Sequence, residues 1–289
     1  FFESWGLDRD LRDLEIALSV ARLTRLFTGN GWRKMDLMGH SSGAALGWAL
    51  LNEETQRPPG HRNVAGYVPL DMFWKVDSED LRQRRCDLAA SAMADLESGV
   101  YAADRSGQIL MGQLARTAPE DPSPVIDWLN NYDAALLVAT STFLFLNQTP
   151  WYHMLAGEFA EGGFPIFPAG LSYASEEAWI QKLENITVYY PRRVAYEIHA
   201  TICDEVDLPY DDHLGDITNP ILYIGAAGGM GEAGDDVFPL LGSTDLTSIL
   251  ISFEGPDQAQ LDYGHNDIVM ADNAVALVYQ PILDWMAAR

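Results

Sequence analysis

From residue 7 to residue 28 apolar side chains recur at helical spacing: Leu11, Leu14, Ala17, Val20, Ala21, Leu23 and Phe27. Asp8, Arg9, Asp13 and Arg25 fall between them. Gly29-Asn30-Gly31 stops this helix. The mostly apolar run Met35 to Met38 then reads as a short buried strand, and Gly43 to Leu51 reads as a helix that begins at Ser42. A polar loop around Pro58-Pro59-Gly60 leads to Val64 to Leu70, a second buried strand that ends at Asp71. Pro69 lies near the end of that strand, where a missing donor is tolerated.

After Val76 the pattern changes. Ser78 to Gly99 reads as a strong helix, with Ser78 as N-cap and Gly99 as stop. Val125 to Asn147 holds a more apolar helical stretch, and residues 147–168 are aromatic and loop-like. Ser175 to Glu184 and Arg192 to Val206 read as short helices. The sheet resumes with Asn219 to Gly225 and continues with Thr247 to Phe253. Gly228 to Gly231 reads as a flexible turn between them; no helix and no βαβ unit follow it, so it is not a dinucleotide fingerprint. Asp272 to Arg289 reads as an amphipathic helix, kinked at Pro281. Strands separated by helices predict an α/β protein with a mostly parallel sheet.

The candidate chemistry sits at the first strand–helix junction, where Gly39-x-Ser41-x-Gly43 occurs. A residue wedged between a strand end and a helix start is held in a sharply turned backbone that pushes its side chain outward. Gly39 and Gly43, lacking Cβ atoms, let neighbouring chain approach. The unbonded N–H groups at the helix start, Ser42 first, point toward an incoming oxyanion. A serine hydroxyl needs a base within hydrogen-bond reach, and the base needs an acid to fix its tautomer. Of the six histidines, His265 stands in Asp262-Tyr263-Gly264-His265-Asn266-Asp267, after the last strand.

These two stretches resemble the nucleophile and base motifs of the α/β-hydrolase superfamily. The resemblance implies an α/β-hydrolase-like sheet formed by residues 1–75 and 216–289, with residues 76–215 inserted as a large helical cap or lid. Ser41 would be the nucleophile, His265 the base, and the N–H of Ser42 an oxyanion donor. The family usually takes its acid from the loop after the strand at Ile221 to Gly225, which offers Glu232 and Asp235. A variant takes it from the end of the strand after the nucleophile strand, which is Asp71. Asp71 is the preferred acid, with Asp235 and Glu232 as alternatives. No metal and no organic cofactor is implied. The family also has several strands ahead of the helix at residue 7. The resemblance therefore covers a C-terminal portion, with on the order of a hundred preceding residues expected. Their absence would leave a bare sheet edge and remove the loop that supplies the second oxyanion N–H.

Composition narrows the partners. The chain has 289 residues, 48% of them hydrophobic, enough for a sizeable core. Its formal charge of −24 argues against nucleic acid or anionic membrane and suits a neutral or cationic small molecule. The acids are spread along the chain, as on a solvated surface. No uninterrupted apolar run reaches the length of a membrane span. Cys86 and Cys203 form neither a disulfide framework nor a zinc pattern; they weakly favour a reducing, cytoplasmic compartment and leave one bridge open. His199 and Cys203, four residues apart, read as packing rather than metal ligands. The aromatic residues Phe143, Phe145, Trp151, Tyr152 and Phe159 suggest an apolar substrate group, or else the core of the insertion. Phe143, Trp151, Tyr152 and His40, which neighbours the nucleophile but is expected to point off the elbow, are the candidate substrate contacts. The leading functional reading is a serine hydrolase of esters, lipase- or carboxylesterase-like. Other hydrolase chemistry (aminopeptidase, thioesterase, lactonase, carbon–carbon hydrolase) and a non-enzymatic binding protein or fragment are the alternatives.

Overall fold

The computed structural model describes residues 1–141, 153–159 and 168–289. The chain opens with α1 (Leu7–Phe27), β1 (Met35–His40), α2 (Ser42–Thr55) and β2 (Val64–Leu70). There follow α3 (Glu79–Glu97), β3 (Ala102–Asp104), α4 (Ser106–Thr117), α5 (Asn131–Thr140), β4 (Gly157–Phe159) and β5 (Pro168–Leu171). Then come α6 (Glu176–Glu184), β6 (Tyr189–Pro191), α7 (Arg192–Cys203), β7 (Ile221–Ala226) and β8 (Leu246–Ile251). The chain closes with α8 (Asp267–Met270) and α9 (Gln280–Ala287).

β1, β2, β7 and β8 form one parallel sheet in that order. The register aligns their C-terminal ends: His40 pairs with Leu70, Leu70 with Ile224, and Ala226 with Ile251. Residues immediately after these strands therefore meet along one rim, where open α/β sheets place ligands. β2 and β7 lie inside the sheet and are apolar on both faces, as strands covered on both sides require. β1 is an edge among the described residues, and its Met38 is 52% exposed.

Between β2 and β7 the described elements are mostly helical, with the small antiparallel pairs β3–β6 and β4–β5 added. Capping explains several boundaries: Ser78, Asn130 and Ser175 each accept a backbone N–H at the start of a helix. The main core packs α1, α2 and α7 against the sheet around Trp48, Tyr67 and Trp74. A second cluster, including Ile224, Ile268 and Val278, lies under the C-terminal elements. No helix among the described residues is long and apolar enough to cross a membrane.

Two expectations change. Val20, Leu23 and Phe27 were expected on the buried face of the first helix, but they are exposed. α1 instead buries Leu7, Leu11, Leu18 and Arg22, because it packs on α2 and α7 beside an edge strand. The predicted C-terminal helix is present: residues 274–287 are helical without a gap, with a π-helical turn at Val275–Tyr279 leading into α9. The wider turn falls just before Pro281, whose ring and missing N–H disrupt regular helical bonding. Cys86 and Cys203 are joined by a disulfide between α3 and α7. Disulfides persist in oxidising compartments, which weighs against the reducing one favoured from sequence.

Candidate active site

The parallel ladder runs to the last residue of β1 and one step beyond: Ser41 N–H donates to Leu70 O at 3.1 Å. There the backbone reverses. Ser41 has φ 57° and ψ −128°, and its carbonyl accepts from Ala44 N at 2.8 Å as α2 begins. A left-handed φ on a residue with a Cβ is strained, and the strain is held by the strand on one side and the helix on the other. Gly39 permits the turn, since a Cβ there would lie 2.4 Å from Gly43 O. The expected role of Gly43 changes: a Cβ on it would meet open space, so it is the backbone being approached.

One strand over, Asp71 follows β2 with φ 44° and is fully buried. Its Oδ1 accepts from Ala226 N at 2.8 Å and Met230 N at 3.2 Å. Its Oδ2 accepts from Met230 N at 3.1 Å and lies 2.6 Å from His265 Nδ1. The Gly228–Gly231 stretch, expected to be a flexible turn, is thus a fitted cradle for this carboxylate. A Cβ on Gly229 would sit 2.3 Å from Asp71 Oδ2. Glu232, one of the alternative acids, is exposed, and Asp235 is half-buried. The described carboxylate that meets the imidazole is Asp71's.

The His265 loop is held from several sides. His265 N donates to His153 O at 3.0 Å, and Asn266 N to Met154 O at 2.6 Å. Asp267 Oδ2 accepts from Gly264 N at 2.7 Å and Ala156 N at 2.8 Å. His153 is itself fully buried, with Nε2 donating to Asp262 O at 2.6 Å. His40, expected among the substrate contacts, instead donates from Nε2 to His265 O at 2.8 Å and packs its ring 4.4 Å from that of His265. Burial, with His265 adding to it, pushes the His40 imidazole down to about 3, so it is neutral. Burial also pushes Asp267 up to about 7, with the Asp71 charge contributing.

Sequence reading missed two of these supports. Asp267 stood inside the quoted motif without a role, and a carboxylate two residues after a histidine was the available signal. His153 carried no signal, because its segment joins the His265 loop only through the tertiary fold.

In front of Ser41 lies a crevice of about 110 Å³, lined by Ser41, Ser42, Met72, Arg85, Tyr190 and His199 among others. Arg85 comes from α3 and His199 from α7, the two helices that the disulfide ties together. Arg85 Nη1 is 3.5 Å from His199 Nδ1, and its guanidinium stacks 4.4 Å from the Phe73 ring. Burial first and Arg85 second push His199 down to about 3. Cys86 and Cys203 cluster with Glu205, but both sulfurs are in the disulfide and neither is a thiolate. Phe143, Phe145, Trp151 and Tyr152 lie outside the described residues. Phe159, at the end of β4, is half-buried and packs over Gly157.

No protein-family model and no curated protein sequence matches the chain. Solved structures do. A candidate lipase from Sulfolobus solfataricus is 16% identical; the match covers 100% of this chain and 67% of that one, with a TM-score of 0.60. The monoacylglycerol lipase of Paleococcus ferrophilus is 10% identical, with 98% and 76% covered and a TM-score of 0.46. A soluble variant of monoglyceride lipase from Saccharomyces cerevisiae is 11% identical, with 96% and 68% covered and a TM-score of 0.45. At these identities the likeness is one of fold, carried by the first match and by the parallel sheet itself: the chain has the α/β-hydrolase fold.

Proposed function

We propose that this α/β-hydrolase-fold chain is a serine hydrolase that cleaves ester or related acyl bonds, with Ser41, His265 and Asp71 as its triad. One observation carries the reading: a fully buried carboxylate 2.6 Å from His265 Nδ1, at the strand end adjoining the strained Ser41 turn. With Nδ1 committed to Asp71, the proton on that nitrogen is fixed and Nε2 is the nitrogen that acts as base. His40, the last residue of β1 and the neighbour of Ser41, binds the His265 carbonyl and packs against its ring, which supports pairing His265 with the elbow serine.

In the proposed reaction Ser41 Oγ attacks the acyl carbon while its proton passes to His265 Nε2. A C–O bond forms, and the carbonyl π pair moves onto oxygen, where the N–H of Ser42 meets it. Collapse of the adduct breaks the bond to the leaving group, which takes the proton from His265. Water then repeats the sequence on the acyl-enzyme. Asp71 stabilises the imidazolium and holds the ring, and its carboxylate accepts two N–H groups from the Ala226–Met230 turn. Residues 76–215 act as a cap, with α3 and α7 forming the far wall of the crevice. The substrate is a small molecule that presents an acyl group narrow enough to enter there.

The test is a fluorophosphonate probe with peptide mapping. The wild-type chain is expected to be labelled at Ser41 and to hydrolyse p-nitrophenyl esters, and Ser41→Ala to do neither. A folded wild-type chain that shows neither labelling nor hydrolysis would overturn the proposal.

A further inference from the structure

We propose that the crevice in front of Ser41 is an anion-accepting acyl subsite, in which Arg85 and His199 hold a carboxylate at the end of a short acyl chain. This rests on the serine-hydrolase reading above and names its substrate class: short hemiesters of dicarboxylic acids.

Position decides which half of the ester enters. The leaving group takes its proton from His265, so it departs on the side of that ring. The crevice is lined by Ser41 and Ser42, and neither His265 nor His40 is among its described lining residues. It therefore lies on the other side of the nucleophile, where the acyl chain goes. Its size is about 110 Å³. At about 30 Å³ for a water-sized group, that is room for roughly four non-hydrogen atoms, a methylene and a carboxylate.

The chemistry of the lining selects the end of that chain. Arg85 enters from α3 and is 5% exposed. Its guanidinium stacks 4.4 Å from the Phe73 ring, with Nη2 3.4 Å from Met230 Sδ and Nη1 3.5 Å from His199 Nδ1. These three contacts are with neutral groups: they orient the planar fork and do not cancel its charge. A guanidinium only donates, so Nδ1 of His199 accepts. Burial first, and Arg85 second, hold His199 neutral, with its pKa at about 3. The single ring proton is therefore on Nε2, which adds an N–H donor to those of the guanidinium.

The sides of the crevice are apolar. Ala195 and Ile198 stand beside His199 on one face of α7, and Met72 and Met230 flank the turn that holds Asp71. Apolar sides with cationic and N–H donors at one end fit a short methylene chain that ends in an anion. A plain alkyl end would take water from those donors and return no hydrogen bond, whereas a carboxylate replaces what it displaces. The planar fork also matches the two carboxylate oxygens. The chain's charge of −24 repels anions at a distance, but salt screens that repulsion beyond about 8 Å. The described lining residues carry one formal charge, that of Arg85.

The test compares two pairs of esters with the full chain, by titration of the released acid. Monomethyl malonate is paired with methyl acetoacetate, and monomethyl succinate with methyl levulinate. Within each pair a methyl group replaces one carboxylate oxygen. Wild-type kcat/KM is expected to favour the hemiester by about tenfold or more in at least one pair, chiefly through KM. Arg85→Met keeps the length and removes the charge, and should cut that preference about a hundredfold. Arg85→Lys, which restores the charge without the fork, should recover part of it. A merely structural Arg85 predicts instead that Arg85→Met slows both members of a pair alike and leaves their ratio unchanged. Should Arg85→Met fold poorly, His199→Leu is the second variant, expected to cut the preference severalfold. Fluorophosphonate labelling of Ser41 separates the two proposals. A labelled wild type that prefers neither hemiester, or a preference that survives in the folded variants, overturns the subsite alone. An unlabelled wild type overturns the hydrolase reading and this inference with it.

Discussion

The disulfide permits a prediction in which the native and unfolded states can be told apart. Cys86 and Cys203 are 117 residues apart, and both are buried where α3 packs on α7. Closing a loop of that length in the unfolded chain removes about 16 cal/mol/K, or about 5 kcal/mol at room temperature. For a chain of 289 residues that amounts to a drop of roughly 8 °C in melting temperature. The perturbation is the double change Cys86→Ala and Cys203→Ala. The rest of the helix interface is untouched, so Arg85 and His199 keep their places and ester hydrolysis is expected to stay within about twofold. Urea unfolding is the assay. The variant should show a lower midpoint and a larger m-value, because its unfolded chain is free to expand and expose more surface. Thiol titration should find no free thiols in the unreduced wild type. The reasoning fails if stability drops by less than about 2 kcal/mol at constant m, because the loop term would then be absent. It also fails if activity collapses while stability holds. The bond would then be acting mechanically, holding the crevice wall in place, and not through the unfolded chain.

Three further outcomes follow from the site. Asp71→Asn should lower the rate of Ser41 acylation by about three to four orders of magnitude with the fold intact, while Asp235→Asn changes it little; burst kinetics with a p-nitrophenyl ester measure both. The Asp267 carboxyl holds its proton to about pH 7 when folded and releases it near 3.8 when unfolded. The native state therefore binds more protons between those values, and stability falls as pH rises through that window. Asp267→Asn still accepts the Ala156 and Gly264 bonds and should flatten this slope, leaving the variant more stable than wild type at about pH 8 in urea titrations. Ser41→Gly should exceed Ser41→Ala in stability by about 1 kcal/mol, because only glycine adopts the elbow's positive φ without strain; equal midpoints would refute strain at this turn.

The elements themselves were largely legible in the sequence, because they are written in short-range patterns. Apolar runs, helical spacing and the cap at Ser78 placed β1, α2, β2, α3, α6 and α7 within a few residues. Gly39-x-Ser41-x-Gly43 marked the turn because a strand and a helix flank it, and His265 stood out through its place after the last strand. What the sequence left open were the questions of partnership. Asp71, Glu232 and Asp235 are all carboxylates after strands. What separates them is the register that sets Leu70 beside Ile224, together with the loop that folds Met230 N–H onto Asp71. Gly228–Gly231 looked flexible because glycine lacks a side chain; its fit around Asp71 exists only once β7 lies beside β2. The exposed face of α1, the Cys86–Cys203 bond and the meeting of His153 with the His265 loop likewise join residues far apart in the chain. Local sequence sets backbone conformation and hydrophobic face. Which side chains touch depends on sheet order and register, and those are fixed only when the whole core packs.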